Sequence, residues 1–214
     1  MAEKRTAKSY LPPQIERVVL VGTGGTGGYL AQGLAKLVAG YDLDLDVMLV
    51  DPDTVEERNI FRQNFLASEI GYPKAEVLAG RLNAQFGTAF ASFVGKGEDH
   101  PLVRGYGRDT LYVTCVDTLA ARAPYASKAL WLDCGNALAH GQVVFGTTAK
   151  KTDCKAAAKG WTATPTVKAL PNAALKLGLG ALSEEPSTPS CAAQPFAEQG
   201  CYVNDQAALC ALTI

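Results

Sequence analysis

Apolar and polar residues follow one another along the chain in blocks that predict strands and helices in alternation. Val18 to Val21 are four consecutive apolar residues, and apolar residues recur at helical spacing after them, at Leu30, Leu34, Leu37 and Val38. Apolar runs of strand length lie at 16–21, 44–50, 89–94, 110–116, 129–134 and 142–147. Helices are expected from Lys74, because proline precedes it, and from about Leu119. The alternation predicts an α/β fold, a Rossmann-like, doubly wound, mainly parallel sheet with helices on both faces.

The remaining stretches differ from this pattern and set the expected domain organisation. Residues 1–15 form a polar N-terminal arm, and residues 16–148 form the Rossmann-like domain. Residues 149–196 are rich in lysine and proline and predict a long crossover loop, with a short helix over Ala173–Leu182. Residues 197–214 are expected to add a C-terminal helix to the same domain.

Composition excludes several classes of function. Of the 214 residues, 48% are hydrophobic and 19% charged, as in ordinary globular domains, and the formal net charge is −1. A chain this balanced in charge is not expected to bind nucleic acid. Since the sequence contains neither a signal-peptide pattern nor an apolar run of about 20 residues, we expect a cytoplasmic protein without a membrane span.

Glycines in the pattern G-x-G-x-x-G connect the first strand to the first helix, at Gly22, Gly24 and Gly27. This arrangement lets the backbone approach a phosphate group and directs the N-terminus of a helix towards it. Asp51 ends the second strand 24 residues after Gly27, where an acidic residue typically binds ribose hydroxyls. Asp117 follows another strand, so these residues should meet at one edge of the sheet. A nucleotide site is the prediction, although a glycine turn can also serve only to pack a helix on a sheet.

A series of short motifs in fixed order resembles the ThiF/MoeB/HesA superfamily of enzymes that activate ubiquitin-like proteins. The motifs are Gly22-Thr-Gly-Gly-Thr-Gly27, Asp51-Pro-Asp-Thr-Val55, Asn59-Ile-Phe-Arg-Gln63, Gly71-Tyr-Pro-Lys74 and Cys115-Val-Asp117. The resemblance extends from about Val18 to Thr148. Within the superfamily the chain looks most like the ThiF-family protein of PRTRC systems, on Trp131-Leu-Asp-Cys-Gly-Asn136 and Gly141-Gln-Val-Val-Phe-Gly146 and, loosely, on Ser190-Cys-Ala and Tyr202-Val-Asn.

The resemblance implies that ATP is attacked by the C-terminal glycine carboxylate of a ubiquitin-like β-grasp protein, which yields an acyl-adenylate and pyrophosphate. Asp51 would then hold the ribose, and Asp117 would bind Mg²⁺. The residues implied for the nucleotide and its phosphates are Gly22, Gly24, Gly25, Gly27, Asn59, Arg62, Gln63 and Lys74. A homodimer is implied as well. Arg122 is open between a salt bridge and a role near the nucleotide.

The six cysteines leave one chemical question open, namely whether a thioester follows adenylation. Cys191 is the first choice for such a nucleophile and Cys154 the second, whereas Cys115 and Cys134 are expected in the core. No structural zinc is expected, because the paired CxxC motif of relatives is missing.

Two other functions remain open, an NAD-dependent oxidoreductase at the same glycine turn and a ThiF-like adaptor without catalytic activity.

Overall fold

A computed structural model describes residues 15–105, 107, 109–136, 141–154, 170–178 and 203–213. In this part of the chain one sheet has the strand order β3-β2-β1-β4-β5-β6. The strands are β1 (Arg17–Val21), β2 (Asp46–Asp51), β3 (Ala91–Val94), β4 (Thr110–Thr114), β5 (Trp131–Asn136) and β6 (Gly141–Gly146). Neighbouring strands are parallel except β5 and β6, which pair antiparallel.

Helices follow the strands in the expected alternation. They are α1 (Gly25–Tyr41), α2 (Lys74–Phe86), α3 (Pro101–Arg104), α4 (Leu119–Arg122), α5 (Lys151–Cys154), α6 (Ala173–Leu177) and α7 (Val203–Leu212). Short 3-10 turns occupy Glu57–Asn59, Ala67–Glu69, Gly97–Asp99 and Ala123–Tyr125. No helix among the described residues has the length and apolar character needed to cross a membrane.

The two faces of β1 bury different side chains, because alternate residues of a strand point to opposite faces. Val18 and Leu20 join a core with apolar residues of α1, α2 and α7, whereas Val19 and Val21 pack with residues of α3, α6 and β5. Helices therefore cover both faces of the sheet. The predicted α/β doubly wound fold is confirmed.

Several predicted elements are shorter in the structure. The helix expected from Leu119 ends at Arg122 and passes into the 3-10 turn Ala123–Tyr125, whose proline cannot continue the α-helical hydrogen bonds. The helix expected to reach Leu182 ends at Leu177, where Gly178 adopts a left-handed conformation that terminates helices. The predicted boundaries of the polar arm and of the crossover loop lie largely outside the described residues.

The order of the strands creates a switch point beside β1. The chain adds β2 and β3 on one side of β1 and then returns to add β4, β5 and β6 on the other. The loops that leave β1 and β4 therefore diverge and open a crevice at the carboxyl ends of the strands.

Candidate nucleotide-binding site

A cleft of about 450 Å³ lies at this switch point. Residues that follow β1, β2, β3 and β4 form its walls, and the segment 62–74 and α7 add to them. The cleft is lined by eight of the residues predicted to bind nucleotide or metal: Gly22, Gly24, Gly25, Asp51, Arg62, Gln63, Lys74 and Asp117. The structure thus brings most of the predicted site together in one place.

Glycines allow the loop after β1 to pack between β4 and α1. Gly22 has a positive φ of 87°, and a Cβ on it would lie 2.5 Å from the carbonyl oxygen of Cys115. A Cβ on Gly27 would lie 1.8 Å from the carbonyl oxygen of Gly22. Gly27 is not among the described residues that line the cleft, and it packs directly against Gly22. Its expected contact with the nucleotide stays a prediction.

Gly24 and Gly25 present the N-terminus of α1 to the cleft. Gly24 is the N-cap residue of α1, and the first turn that follows is Gly25-Thr-Gly-Gly. Because glycine has no side chain to cap the helix, the backbone N–H groups of this turn point into the space above the loop. The positive end of the helix dipole points the same way and favours an anion.

Asp51 joins the glycine loop to the loop that follows β2. Its Oδ2 accepts hydrogen bonds from the backbone N of Thr23 at 2.6 Å and from Thr23 Oγ1 at 3.0 Å, and its Oδ1 accepts one from the backbone N of Asp53 at 2.9 Å. Burial raises the pKa of Asp51, while the two backbone hydrogen bonds and the charge of Lys74 lower it. A carboxylate accepts about four hydrogen bonds, so Asp51 keeps the capacity to bind a hydroxyl in the cleft.

The segment after β2 places Arg62 and Gln63 against the glycine loop. Both side chains are buried, with 8% and 5% of their surface exposed. Gln63 Nε2 lies 3.5 Å from the position of a Cβ on Gly24, and within the described part of the chain Gln63 Oε1 accepts no hydrogen bond. A buried polar atom without a partner is costly, and a ligand that donates a hydrogen bond would remove this cost.

Asn59 has a different place from the one expected. Its side-chain Oδ1 accepts a hydrogen bond from the backbone N of Glu56 at 2.8 Å, and only 2% of the residue is exposed. It is not among the described residues that line the cleft. In the structure Asn59 stabilises the 3-10 turn that precedes Arg62, and its expected phosphate contact stays a prediction.

Lys74 reaches the cleft because two of the motif segments pair with each other. Thr54 and Pro73 form an antiparallel bridge, and the backbone N of Val55 donates to the carbonyl of Tyr72 at 2.9 Å. This pairing places Lys74 at the start of α2 beside the loop after β2. Lys74 Nζ forms a 2.9 Å ion pair with Asp53 Oδ2 and has 6% of its side chain exposed.

Asp117 lies between the end of β4 and α4, on the exposed side of the cleft. The next residue, Thr118, caps α4 by accepting a hydrogen bond from the backbone N of Ala121 at 3.2 Å. The described residues contain no group of three or more His, Cys, Asp or Glu side chains that could bind a metal. Mg²⁺ is commonly bound by one or two carboxylates together with substrate phosphates, and Asp117 fits that pattern.

Arg122 belongs to a buried polar network. Its Nε lies 3.1 Å from Oδ1 of Asp133, which is fully buried and also accepts a 2.6 Å hydrogen bond from Thr114 Oγ1. Trp131 Nε1 donates to the same Thr114 oxygen at 2.8 Å. Of the two interpretations of Arg122, the structure supports the salt bridge, which holds α4 and the Asp117 side of the cleft against β4 and β5.

The cleft also contains residues that the sequence did not indicate. They are Lys96, Gly97 and Glu98 after β3, and Asn204 in the first turn of α7. The rule that ligands lie at the ends of parallel strands could have identified the first three residues. Asn204 belongs to the loosely matching motif Tyr202-Val-Asn, but nothing local indicated a place in the site, because only tertiary packing brings α7 to the cleft.

Cys115 and Cys134 were expected in the core, and this is confirmed: Cys134 is a core residue, and Cys115, which is partly buried, packs against the same core. Cys134 is buried, yet both residues line the cleft. A hydrogen bond with Cys134 and burial raise the pKa of Cys115 well above its ordinary value, so Cys115 stays a thiol at neutral pH. Cys191 and the side chain of Cys154 lie outside the described residues.

The sheet order, the glycine loop and the cleft at the switch point place the protein in the class of Rossmann-like α/β proteins. A model of the ThiF family matches residues 14–171, which is well over half of the chain, so the protein belongs to the ThiF family. The superfamily named by the motif series is thereby confirmed, and the PRTRC subtype stays a prediction.

Individual relatives match shorter parts. Over 71 residues, 32% of the chain, the sequence is 38% identical to the adenylyltransferase and sulfurtransferase UBA4 of Yarrowia lipolytica and covers 17% of that protein. The E. coli tRNA N6-threonylcarbamoyladenosine dehydratase TcdA, solved in complex with ATP, is 21% identical over 53% of the chain and 46% of TcdA, with a TM-score of 0.44. A second structure, TcdA (CsdL), is 22% identical over 51% of the chain and 42% of that protein, with a TM-score of 0.42. The chain spans less than half the length of each.

Proposed function

We propose that the protein uses ATP to adenylate the C-terminal glycine carboxylate of a ubiquitin-like β-grasp protein, with release of pyrophosphate. The observation that carries this proposal is one cleft in which the N-terminus of α1, Arg62, Lys74 and Asp117 converge. A hydride-transfer cofactor would use the glycine loop and Asp51 but would not account for two buried cations and a carboxylate beside them. Membership of the ThiF family and the adenylyltransferase named among its relatives support the same choice.

The residues of the cleft divide the work of binding ATP. The N–H groups of Gly24 and Gly25 and the dipole of α1 would hold phosphate oxygens, and Asp51 would bind the ribose hydroxyls. The planar Arg62 guanidinium suits a bidentate contact with a phosphate, whereas Lys74 supplies a point charge. Gln63 would meet the same phosphates through its amide. Asp117 would hold Mg²⁺, which, when bound, neutralises charge on the phosphate oxygens.

The chemical step needs little covalent participation by the protein. A carboxylate oxygen of the incoming glycine forms a bond to the α-phosphorus, and the bond between this phosphorus and the bridging oxygen breaks. The bridging oxygen leaves with the electron pair as part of pyrophosphate. Arg62 and Lys74 would lower the barrier because they neutralise negative charge and hold two anions in line.

A protein-contact surface adjoins the cleft. Four exposed apolar side chains lie within one segment that includes Arg62: Phe61, Leu66, Ile70 and Tyr72, of which Phe61 has 80% of its surface exposed. Exposed apolar groups in one segment are typical of protein-binding sites. We assign this surface to protein contacts of the enzyme, including the homodimer expected from the resemblance.

Cys191 remains the proposed nucleophile for a thioester, if the reaction continues beyond the adenylate.

ATP–pyrophosphate exchange in the presence of the cognate ubiquitin-like protein tests the proposal. The wild-type protein should catalyse exchange, and Arg62→Ala and Asp117→Ala should each reduce it at least a hundredfold. Arg58→Ala is the matched control, because Arg58 lies on the same segment but forms an exposed ion pair with Glu56 and does not line the cleft. This variant should retain wild-type exchange.

Binding measurements separate the two alternative functions. ATP with Mg²⁺ should bind to the wild-type protein, and NAD should not bind. Binding of NAD in place of ATP would support the oxidoreductase and overturn the proposal. Binding of the ubiquitin-like protein without any exchange would support the adaptor without catalytic activity.

A further inference from the structure

The C-terminal helix α7 begins at the cleft and runs parallel to α1. A Cβ on Gly25 would lie 2.5 Å from the amide of Asn204, and a Cβ on Gly33 would lie 2.1 Å from Leu212 Cδ1. The two contacts are eight residues apart on each helix, so both helices run in the same direction with their N-termini side by side. Small residues of α1 permit this close approach.

Asn204 connects two separate walls of the cleft. Its Nδ2 donates a 3.1 Å hydrogen bond to the carbonyl oxygen of Arg62, and its Oδ1 accepts one of 3.4 Å from Thr26 Oγ1. Thr26 belongs to the first turn of α1, and Arg62 belongs to the segment after β2. One amide thus holds the main chain of Arg62 against the helix turn that faces the phosphates.

We infer that Asn204 is a positioning residue for phosphate binding. Its amide fixes the distance between the Arg62 main chain and the N-terminus of α1, so that the guanidinium and the N–H groups act on the same triphosphate. The inference rests on the proposed function for the identity of the ligand. The contact between α7 and the two walls stands on the structure alone.

The first test compares ATP with adenosine as ligands of the full chain in calorimetric titrations. Asn204→Ala should weaken ATP binding by up to about tenfold, which is the upper end of the effect expected for one lost neutral hydrogen bond. Adenosine carries no phosphate, so its affinity should stay at the wild-type value. Gln206→Ala is the matched control, because Gln206 is exposed on the same turn of α7 and should change neither affinity. An equal loss for ATP and adenosine would overturn the inference.

A second variant exploits the packing of Gly25. The three atoms nearest to a Cβ on this residue all belong to the amide of Asn204. Gly25→Ala should therefore displace the amide and weaken ATP binding much as Asn204→Ala does. In the double variant the shorter side chain leaves room for the methyl group, so the second substitution should add little. If the double variant lost ATP affinity by the product of the two single-variant factors, the two residues would act independently, which would contradict the shared contact.

Hydrogen exchange separates failure of this inference from failure of the proposed function, because it needs no ligand. In Asn204→Ala the backbone amides of residues 60–65 should exchange faster than in the wild-type protein. Unchanged exchange there would overturn the positioning role, even if ATP binding fell, since Asn204 would then contact the phosphates directly. If the wild-type protein bound no ATP, the proposed function would fail, and faster exchange would still support the role of Asn204 in joining the two walls.

Discussion

Substitution of Gly27 by alanine should destabilise the protein strongly, although alanine is the better helix former. A methyl group at this position would lie 1.8 Å from the carbonyl oxygen of Gly22 and 3.2 Å from Cβ of Cys115. Both neighbours belong to backbone or to a short side chain, so neither can rotate away. The first turn of α1 would have to lift from the sheet by roughly 1 Å or more to restore an ordinary contact.

The expected cost follows from this displacement. Overpacking of a rigid site costs about 1–3 kcal/mol, and the lost contacts of the glycine loop add to it, so we expect about 3 kcal/mol or more. Gly40 lies in the same helix, is exposed, and has no described atom within 4 Å of a Cβ position. Gly40→Ala should therefore stabilise the protein by up to about 1 kcal/mol, because it reduces the flexibility of the unfolded chain.

Urea unfolding of the two variants beside the wild-type protein measures both effects. The midpoint for Gly27→Ala should fall and that for Gly40→Ala should rise slightly, with similar dependence on urea concentration. Gly80→Ala, in the open middle of α2, provides a second control and should also stabilise the protein. A Gly27→Ala midpoint equal to that of the wild-type protein would refute the packing of the glycine loop described above.

Three other predictions concern charged and thiol groups. Arg122→Ala should lower the free energy of unfolding, measured in urea, by about 3–5 kcal/mol, because it leaves the buried Asp133 carboxylate without its cation. The loss should be much smaller in an Asp133→Asn background, and equal losses in both backgrounds would argue against the ion pair. The hydrogen bond with Cys134 and burial raise the pKa of Cys115, so its alkylation by iodoacetamide, followed by peptide mass spectrometry, should still accelerate with pH above about pH 10, where the rate for the unfolded protein has levelled off. A plateau in the folded protein at or below the pH where the unfolded protein levels off would contradict this. In titration calorimetry Lys74→Ala should weaken ATP binding about tenfold and leave adenosine binding unchanged. An equal loss of affinity for the two ligands would speak against a contact between Lys74 and a phosphate.

The sequence predicted the sheet and the position of the cleft because both depend on local patterns. Apolar runs locate strands whose side chains are buried on both faces, and the ends of parallel strands must meet at one edge. Gly22, Asp51 and Asp117 could therefore be placed together without coordinates. The motif segments around Arg62 and Lys74 were recognised only through a resemblance, since no periodicity indicates that residues 51–55 pair with residues 71–74.

Roles that depend on tertiary packing could not be predicted. Asn59 and Gly27 lie in motifs that suggest ligand contacts, yet their atoms are used by the turn and by the loop beneath the cleft. Arg122 could be assigned only when its distance to Asp133 was known. Asn204 lies 142 residues after Arg62, and a contact at such separation leaves no trace in local composition.

Residues 54–73 form a segment that leaves the sheet after β2 and returns at the start of α2. The bridge between Thr54 and Pro73 joins its two ends, so their positions do not depend on the residues in the middle of the segment. Backbone hydrogen bonds between its two ends help to fix where the segment leaves β2 and where α2 begins. Residues 66–70, which lie between the cleft residues Arg62 and Gln63 and the paired end at 71–73, can therefore change in length or surface character without moving Lys74. Family members could therefore differ in the surface that this part of the segment presents while the positions of Arg62 and Lys74 stay constant.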